Sequence, residues 1–252
     1  MDAVPVLAAS PATTGLFLDF DGTLSPIVPE AAAARPLPGV ASLLHALGAR
    51  YGRVAVVSGR PVAFLLDRLG ERVELHGLYG LEAWVDGERR DHPEAEPWRP
   101  VVAAAVAAAA TALPPEVTVE DKGLSLTLHY RRAQAAAPAV EAWASAEART
   151  SGLELRSAKR SVELHPPVQV DKGTVVTERS AGLSTVAYLG DDEGDLPAFA
   201  ALARLAEAGA QVVRVAVDTP ELSPLLRAAA DVVVPGPEGA VALLESLVAS
   251  VT

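Results

Sequence analysis

The stretch Leu16-Phe17-Leu18-Asp19-Phe20-Asp21-Gly22-Thr23-Leu24 decides the fold of this chain. Its apolar first part reads as a buried strand. The run ends in two carboxylates two positions apart, then a glycine and a threonine. Strand alternation puts i and i+2 on one side, so Asp19 and Asp21 can serve one site where the chain leaves the sheet. Gly22 lets the backbone turn sharply there. Two carboxylates this close repel unless one is protonated or a cation sits between them. In that setting Asp19 suits nucleophilic attack on an electrophile such as phosphorus, and Asp21 suits proton donation to a leaving oxygen.

Working outward, residues 25–38 carry Pro26, Pro29, Pro36 and Pro38 and read as a loop at the mouth of this turn. Residues 39–50 place Val40, Leu43, Leu44 and Leu47 at helical spacing. Residues 53–57 form a short apolar strand ending in Ser58-Gly59-Arg60. A strand–helix–strand unit of this length predicts a parallel sheet, and ligands bind beyond the carboxyl ends of such strands. Ser58 and the amides after it, Gly59 first, therefore suit a phosphate oxygen. The same serine also suits the N-cap of a helix entered through Pro61. A helix over 62–69 and a strand and turn over 73–84 follow; His76 within it reads as structural. Residues 3–14 read as a loose lead-in.

Further on, Asp171 fits the N-cap of a helix running to about residue 181. Lys172 then lies in the first turn, where the helix dipole disfavours a cation and a bound phosphate supplies a reason for one. Residues 185–189 form another apolar strand, running into Gly190-Asp191-Asp192-Glu193-Gly194-Asp195. If this strand lies beside the first, Asp191 and Asp192 join Asp19 and Asp21, and oxygen ligands of that kind suit Mg²⁺. A helix over 197–208, strands over 212–217 and 232–234, and a helix over 237–251 complete this part.

Between the two parts the pattern changes. Residues 91–100 are polar and proline-rich, a linker. An alanine-rich helix over 101–113 precedes strands over 117–120 and 124–130, joined by the tight turn Asp121-Lys122-Gly123. A helix over 139–150 and strands over 153–155 and 161–164 follow. Leu124, Leu126, Leu128 and Tyr130 alternate with Ser125, Thr127 and His129, so one sheet face is apolar and the other polar. Glu120, Lys122, His129, Arg131, Glu163 and His165 supply the charge, a mixture that suits a hydroxyl-rich ligand because hydroxyls both donate and accept.

The Asp-x-Asp-Gly-Thr-Leu string resembles the first motif of the haloacid dehalogenase superfamily of phosphohydrolases. That resemblance implies Asp19 as nucleophile, Asp21 as general acid and base, and Mg²⁺ at the site. Val119-Glu120-Asp121-Lys122-Gly123, Leu128-His129-Tyr130-Arg131 and Val162-Glu163-Leu164-His165-Pro166 resemble the cap of the trehalose-6-phosphate phosphatase family. The implied roles are phosphate binding by Ser58, Gly59 and Lys172, and metal binding by Asp19, Asp21, Asp191 and Asp192. Sugar contacts fall to Glu120, Lys122, His129, Arg131 and Glu163, with Thr23 and Asp195 in support and Asp195 partnering Lys172. Departures from the family pattern stand at Tyr79, where histidine is usual, and at His165, Gly194 and Leu196, where arginine, threonine and glutamate are usual.

The expected fold is an α/β core, doubly wound around a mostly parallel sheet, with an inserted α+β cap. The expected divisions are 1–96 and 169–252 for the core and 97–168 for the cap. The expected reaction is Mg²⁺-dependent hydrolysis of trehalose 6-phosphate through an aspartyl-phosphate. The alternatives are a phosphatase for sucrose or mannosylglycerate phosphate, a sugar phosphomutase, and a sensor that binds without turnover. A formal net charge of -11 over 252 residues argues against a nucleic-acid partner. The absence of cysteine excludes disulfides and a thiol nucleophile. No membrane segment or signal peptide is expected, so the small-molecule sugar phosphate is the expected partner of a cytoplasmic monomer. Lysine is scarce, with Lys122, Lys159 and Lys172 the full set.

Overall fold

A computed structural model describes residues 2–158 and 160–250. Lys159 and Val251, the last residue of the final predicted helix, lie outside the described residues. The chain forms two compact units, residues 1–90 with 170–252, and residues 91–169.

The first unit opens with α1 (Ala3–Ala8), β1 (Thr14–Leu18), α2 (Val40–Gly48), β2 (Arg53–Val57), α3 (Val62–Leu69), β3 (Glu74–Gly77), β4 (Glu82–Val85) and β5 (Glu88–Asp91). The second unit supplies α4 (Arg99–Ala112), β6 (Thr118–Asp121), β7 (Leu126–His129), α5 (Ala137–Ser151), β8 (Glu154–Ala158) and β9 (Ser161–His165). The chain then returns through α6 (Lys172–Arg179), β10 (Thr185–Gly190), α7 (Leu196–Glu207), β11 (Gln211–Val217), α8 (Pro224–Ala229), β12 (Val232–Val234) and α9 (Gly236–Ser250).

Among the described residues the core sheet has eight strands in the order β12-β11-β10-β1-β2-β3-β4-β5. From β12 to β3 the pairings are parallel; β4 runs antiparallel to β3. The chain leaves β1 on one side and returns as β10 on the other, which makes the β1/β10 boundary the switch point where the strand order reverses. The register Leu18↔Leu189 and Leu18↔Val56 brings three strand ends level. Asp19, Ser58 and Asp191 all issue from that edge.

Both faces of β1 are covered, which is why it reads as an unbroken apolar run. Leu16 and Leu18 join the cluster that holds Leu44 and Leu47 of α2 and Leu244 and Leu247 of α9. Phe17 points the other way, into Val176 of α6 and Phe199 and Leu202 of α7. Each of these fully buried side chains contributes about 1.5–3 kcal/mol.

The N-terminal lead-in is more ordered than its sequence suggests. Asp2 caps α1 by accepting from the Val4 amide at 3.2 Å, and Ala3 and Leu7 are buried. All six residues of this short helix are apolar, so no periodicity marks the two that are buried, and α1 is held by packing against α9. The second unit begins at residue 91, earlier than the sequence pattern indicates. Arg99 accounts for this: it pairs with Asp91 and with Glu96 and so ties the proline-rich linker to α4.

Among the described residues the second unit carries a four-stranded sheet, β6-β7-β9-β8, with antiparallel pairings. Leu126, Leu128, Val162 and Leu164 pack against Val102, Ala105 and Ala109 of α4 and Val140 and Ala144 of α5. The opposite face is polar. β7 ends at His129, so Arg131 sits in the following turn, outside the strand's alternation.

Candidate active site

The site grows from the level edge of β1, β2 and β10. Asp19 follows β1 and its amide donates to the Leu189 carbonyl at 2.9 Å, continuing the parallel ladder past the strand end. Gly22 has φ +76° and faces the Asp191 carboxylate so closely that a Cβ there would lie 2.0 Å from Asp191 Oδ2. Glycine is therefore required at position 22 twice over, for the turn and for the approach of the second acid.

Lys172 is the centre of the cluster. It is only 3% exposed and its Nζ lies 2.8 Å from Asp19 Oδ1 and 2.7 Å from Asp195 Oδ1. Its helix is capped by Asp171, which accepts from the Thr174 amide at 2.8 Å. Burial alone would lower the lysine pKa, but Asp19 and Asp195 outweigh it and raise the pKa well above the usual value. The ammonium is thus fixed as a cation.

Asp195 is saturated. Its Oδ1 accepts from Lys172 and from the Tyr188 hydroxyl at 2.6 Å, and its Oδ2 accepts from the amides of Asp191 at 2.8 Å and Asp192 at 3.2 Å. A carboxylate has about four lone-pair positions, and all four are engaged here. Asp195 therefore shapes the turn that presents Asp191. Asp191 is 2% exposed, and its Oδ2 accepts from Thr219 at 2.9 Å.

Oxygens of Asp19, Asp191 and Asp195 lie within 4.8 Å of one another, all three residues buried. Burial pushes the Asp19 carboxyl up, Lys172 opposes this, and Asp195 and Asp191 add to it. Burial, then Asp195 and Asp192, raise Asp191 to about 8. Acids driven so far toward protonation are a site with too much negative charge, which is what a divalent cation relieves. The donor set, hard carboxylate oxygens, fits Mg²⁺. With Asp195 saturated, Asp19 and Asp191 are the pair best able to hold it.

Asp21 and Asp192 are engaged elsewhere. Both Asp21 oxygens accept from Arg60, from Nε at 2.6 Å and from Nη2 at 2.7 Å, a bidentate clamp. Arg60 also donates to the Ala31 carbonyl at 2.8 Å and lies over the Phe64 ring. Asp192 Oδ1 accepts from the Gly194 amide at 2.8 Å. Thr23 is fully buried and its hydroxyl has no partner among the described residues. Ser58 is not the cap of α3. Pro61 takes that position, and Glu82 accepts from the Val62 amide at 2.8 Å instead. The Ser58 hydroxyl accepts only a longer contact from the Arg60 amide, 3.2 Å.

The second unit holds its own polar cluster. Glu163 is 5% exposed and accepts from Ser125 Oγ at 2.7 Å and Lys122 Nζ at 3.3 Å, with Arg156 Nη1 at 3.5 Å. Burial would raise its pKa, but Lys122, Arg156 and Ser125 outweigh it and lower the pKa. His129 Nε2 meets Glu120 Oε2 at 2.7 Å. His165 is buried and donates from Nδ1 to the Pro166 carbonyl at 2.9 Å. Thr127, opposite Glu163 in the register, is buried, and its hydroxyl has no partner among the described residues.

Five of these participants escape a reading of the sequence. Arg60 follows the Ser-Gly pair directly and could have been flagged as a cation facing Asp21. Tyr188 interrupts an apolar strand, and a buried phenol asks for a partner. Ser125 is visible only as one residue of a polar sheet face, and Thr219 and Arg156 carry no signal, because tertiary contacts and, for Arg156, strand register bring them to Asp191 and Glu163.

Residues 17–225 match the family model described as trehalose-phosphatase. The trehalose-phosphate phosphatase of Mycobacterium avium is 35% identical over 199 residues, 74% of this chain and 51% of that protein. The Mycobacterium leprae trehalose-phosphate phosphatase is 32% identical over 215 residues, 79% of this chain and 50% of the relative. The chain thus spans about half the length of the curated relatives it matches. Among solved structures, the C-terminal domain of the Candida albicans trehalose-6-phosphate phosphatase superposes with a TM-score of 0.76 at 23% identity, covering 97% of this chain and 96% of that one. A haloacid dehalogenase-like hydrolase from Bacteroides thetaiotaomicron superposes with a TM-score of 0.61 at 17% identity, covering 92% and 98%. These last two matches establish the fold.

Proposed function

This chain belongs to the trehalose-phosphatase family, and on that premise we propose that it is a Mg²⁺-dependent phosphatase that hydrolyses trehalose 6-phosphate through an aspartyl-phosphate. The observation that carries the reading is the buried lysine: Lys172 reaches Asp19 and Asp195 together, beside Asp191. A phosphoryl group arriving there meets a fixed cation and a carboxylate nucleophile at once.

In the proposed reaction an Asp19 oxygen attacks phosphorus and the bond from phosphorus to the sugar oxygen breaks. Asp21 gives its proton to that oxygen as it leaves, so free sugar departs. Asp21 then takes a proton from a water whose oxygen attacks the phosphorus of the aspartyl-phosphate, freeing Asp19 and inorganic phosphate. Arg60 sets where Asp21 stands for both transfers, and one Asp21 oxygen must leave the guanidinium for each. Lys172, Ser58 and the Gly59 amide hold the phosphoryl oxygens. Asp19 and Asp191 would hold Mg²⁺, which when bound would supply charge neutralisation to the phosphoryl group.

Sugar recognition is assigned to the polar sheet face of the second unit. Glu163, Lys122 and Glu120 carry both acceptors and donors for hydroxyls, with His129 beside Glu120. Arg131, in its turn, is a weaker participant because it lies off the strand.

The test is phosphate release from trehalose 6-phosphate, sucrose phosphate, mannosylglycerate phosphate and glucose 6-phosphate, with Mg²⁺, beside Asp19→Asn. Trehalose 6-phosphate is expected to give the highest kcat/KM. A dominant preference for another sugar phosphate would retire the substrate. Isomerised sugar phosphate in place of free phosphate would replace hydrolysis with phosphoryl transfer.

A further inference from the structure

Three consecutive residues after β3 adopt positive φ: Leu78 at 48°, Tyr79 at 61° and Gly80 at 113°. Glycine takes that region freely, whereas leucine and tyrosine are strained in it. Strain of this kind persists only where the surroundings impose it. Here they do so from two sides. The Tyr79 amide donates to the Ser58 carbonyl at 2.9 Å and the Leu78 amide to the Arg60 carbonyl at 3.0 Å, so the strained turn is stitched to the Ser58-Gly59-Arg60 turn. Gly80 lies against Val170 and Val175, the latter on α6, close enough that a Cβ would come within 2.6 Å and 2.7 Å of them. The helix α6 is the one that begins at Lys172.

The left-handed backbone also aims the Tyr79 ring. A Cβ on Gly59 would meet the ring's Cζ and hydroxyl oxygen at 2.7 Å and its Cε2 at 3.0 Å. The phenol end of the ring is therefore laid against Gly59, the residue whose amide is offered to the phosphate.

We propose that Tyr79 is a positioning residue of the phosphoryl site, its ring clamping the Gly59 turn while its strained backbone links that turn to the helix of Lys172. The inference rests on the reading of Ser58 and Gly59 as phosphate-binding residues. Its chemistry is steric: the ring fixes the direction of the Gly59 amide, and the phenol oxygen stands at the rim of the anion site. Misdirected amides weaken binding of any phosphate, substrate or product.

The experiment compares Tyr79→Phe, Tyr79→Leu and Tyr79→Gly in the full chain with Mg²⁺ present. It measures binding of inorganic phosphate by calorimetry, KM and kcat on trehalose 6-phosphate, and Tm. Tyr79→Phe keeps the ring and is expected to retain phosphate affinity within about threefold, while Tyr79→Leu and Tyr79→Gly lose about tenfold or more, with KM rising further than kcat falls. Tyr79→Gly is expected to melt at or above Tyr79→Leu, since glycine relieves the backbone strain. Weak phosphate binding at an unimpaired Tm is a result that loss of fold does not give. Wild-type phosphate affinity in Tyr79→Leu and Tyr79→Gly would overturn the proposal, as would an equal loss in Tyr79→Phe. A wild-type chain that binds phosphate, shows this pattern and hydrolyses no sugar phosphate would refute the functional reading alone.

Discussion

Around Asp19 the acids outnumber the bases that meet them; around Glu163 each acid has its base. In the first region Asp19, Asp191, Asp192 and Asp195 share Lys172, and burial with mutual repulsion raises Asp19, Asp191 and Asp192. In the second, Glu163 meets Lys122 and Arg156, and Glu120 meets His129. There the bases outweigh burial and Glu163 is lowered. A buried excess of negative charge is a site waiting for cations and a reaction partner. A balanced set of donors and acceptors is a surface for a polar, uncharged ligand. The proposed function rests on this contrast, with phosphate chemistry assigned to the first region and hydroxyl recognition to the second.

The sharpest way to break the comparison is Asp19→Asn. With the proposed nucleophile gone, phosphate release is expected to fall by roughly four orders of magnitude or more. A steady-state rate within about tenfold of wild type would remove Asp19 from the chemistry. Glu163→Gln probes the other region. It leaves Lys122 and Arg156 short of their carboxylate, and hydrogen bonds to charged groups contribute about 1.5–3 kcal/mol. KM for trehalose 6-phosphate is therefore expected to rise about tenfold to a hundredfold, with inorganic phosphate binding unchanged. If phosphate binding weakens as much as KM rises, the division between the regions is wrong.

The charge excess itself is tested by stability. Asp191 titrates near 8 in the folded chain, far above an unfolded aspartate, so the folded form holds a proton the unfolded form has lost. Stability without metal should decline as pH rises toward and through that value. Asp191→Asn lacks the ionisable group and escapes the decline. In chelator at alkaline pH its Tm is expected to exceed wild type by roughly 2–4 °C, and added Mg²⁺ should reverse the order. Thermal melts across pH, with and without Mg²⁺, decide this; a variant less stable than wild type in chelator at every pH would show that the cluster is not strained.

Glu74 gives a control of opposite sign. Burial alone would raise its pKa, but hydrogen bonds from His76 and Arg179 and their charges lower it to about 2; Arg53 lies 3.0 Å away. A lowered carboxylate stabilises above its unfolded pKa and loses that contribution as pH falls toward the folded one. Glu74→Gln should thus be less stable than wild type near neutrality, by about 2 kcal/mol, with the gap closing toward pH 2. Urea midpoints at several pH values measure it, and a gap that stays constant with pH would assign the loss to packing.

Much of this was legible before any coordinates. The apolar run 16–18 with its paired acids, the serine after 53–57, and the acidic turn after 185–189 each mark a strand end, because buried parallel strands are continuous in hydrophobicity and ligands gather at their carboxyl ends. The scarce lysine at a helix start pointed to Lys172. The helix α1 was not legible, since its stability comes from α9 and not from its own short pattern. The pairing of Asp195 with Lys172 was expected from the family resemblance, but that the same carboxylate is also taken by Tyr188 and two turn amides was not legible. The partners of Asp21 and Asp192 were equally hidden, since a bidentate arginine and a turn amide compete for oxygens that the spacing alone leaves open.

The order of residues by itself determined which groups stand where strands end, and hence the kind of chemistry available, because hydrophobic periodicity and turn residues are local properties. Only the tertiary structure decided which acids meet, which oxygens remain for a cation and where the Tyr79 ring falls. Those depend on strand order, on register and on backbone angles imposed from outside, and such constraints come from parts of the chain far apart in sequence.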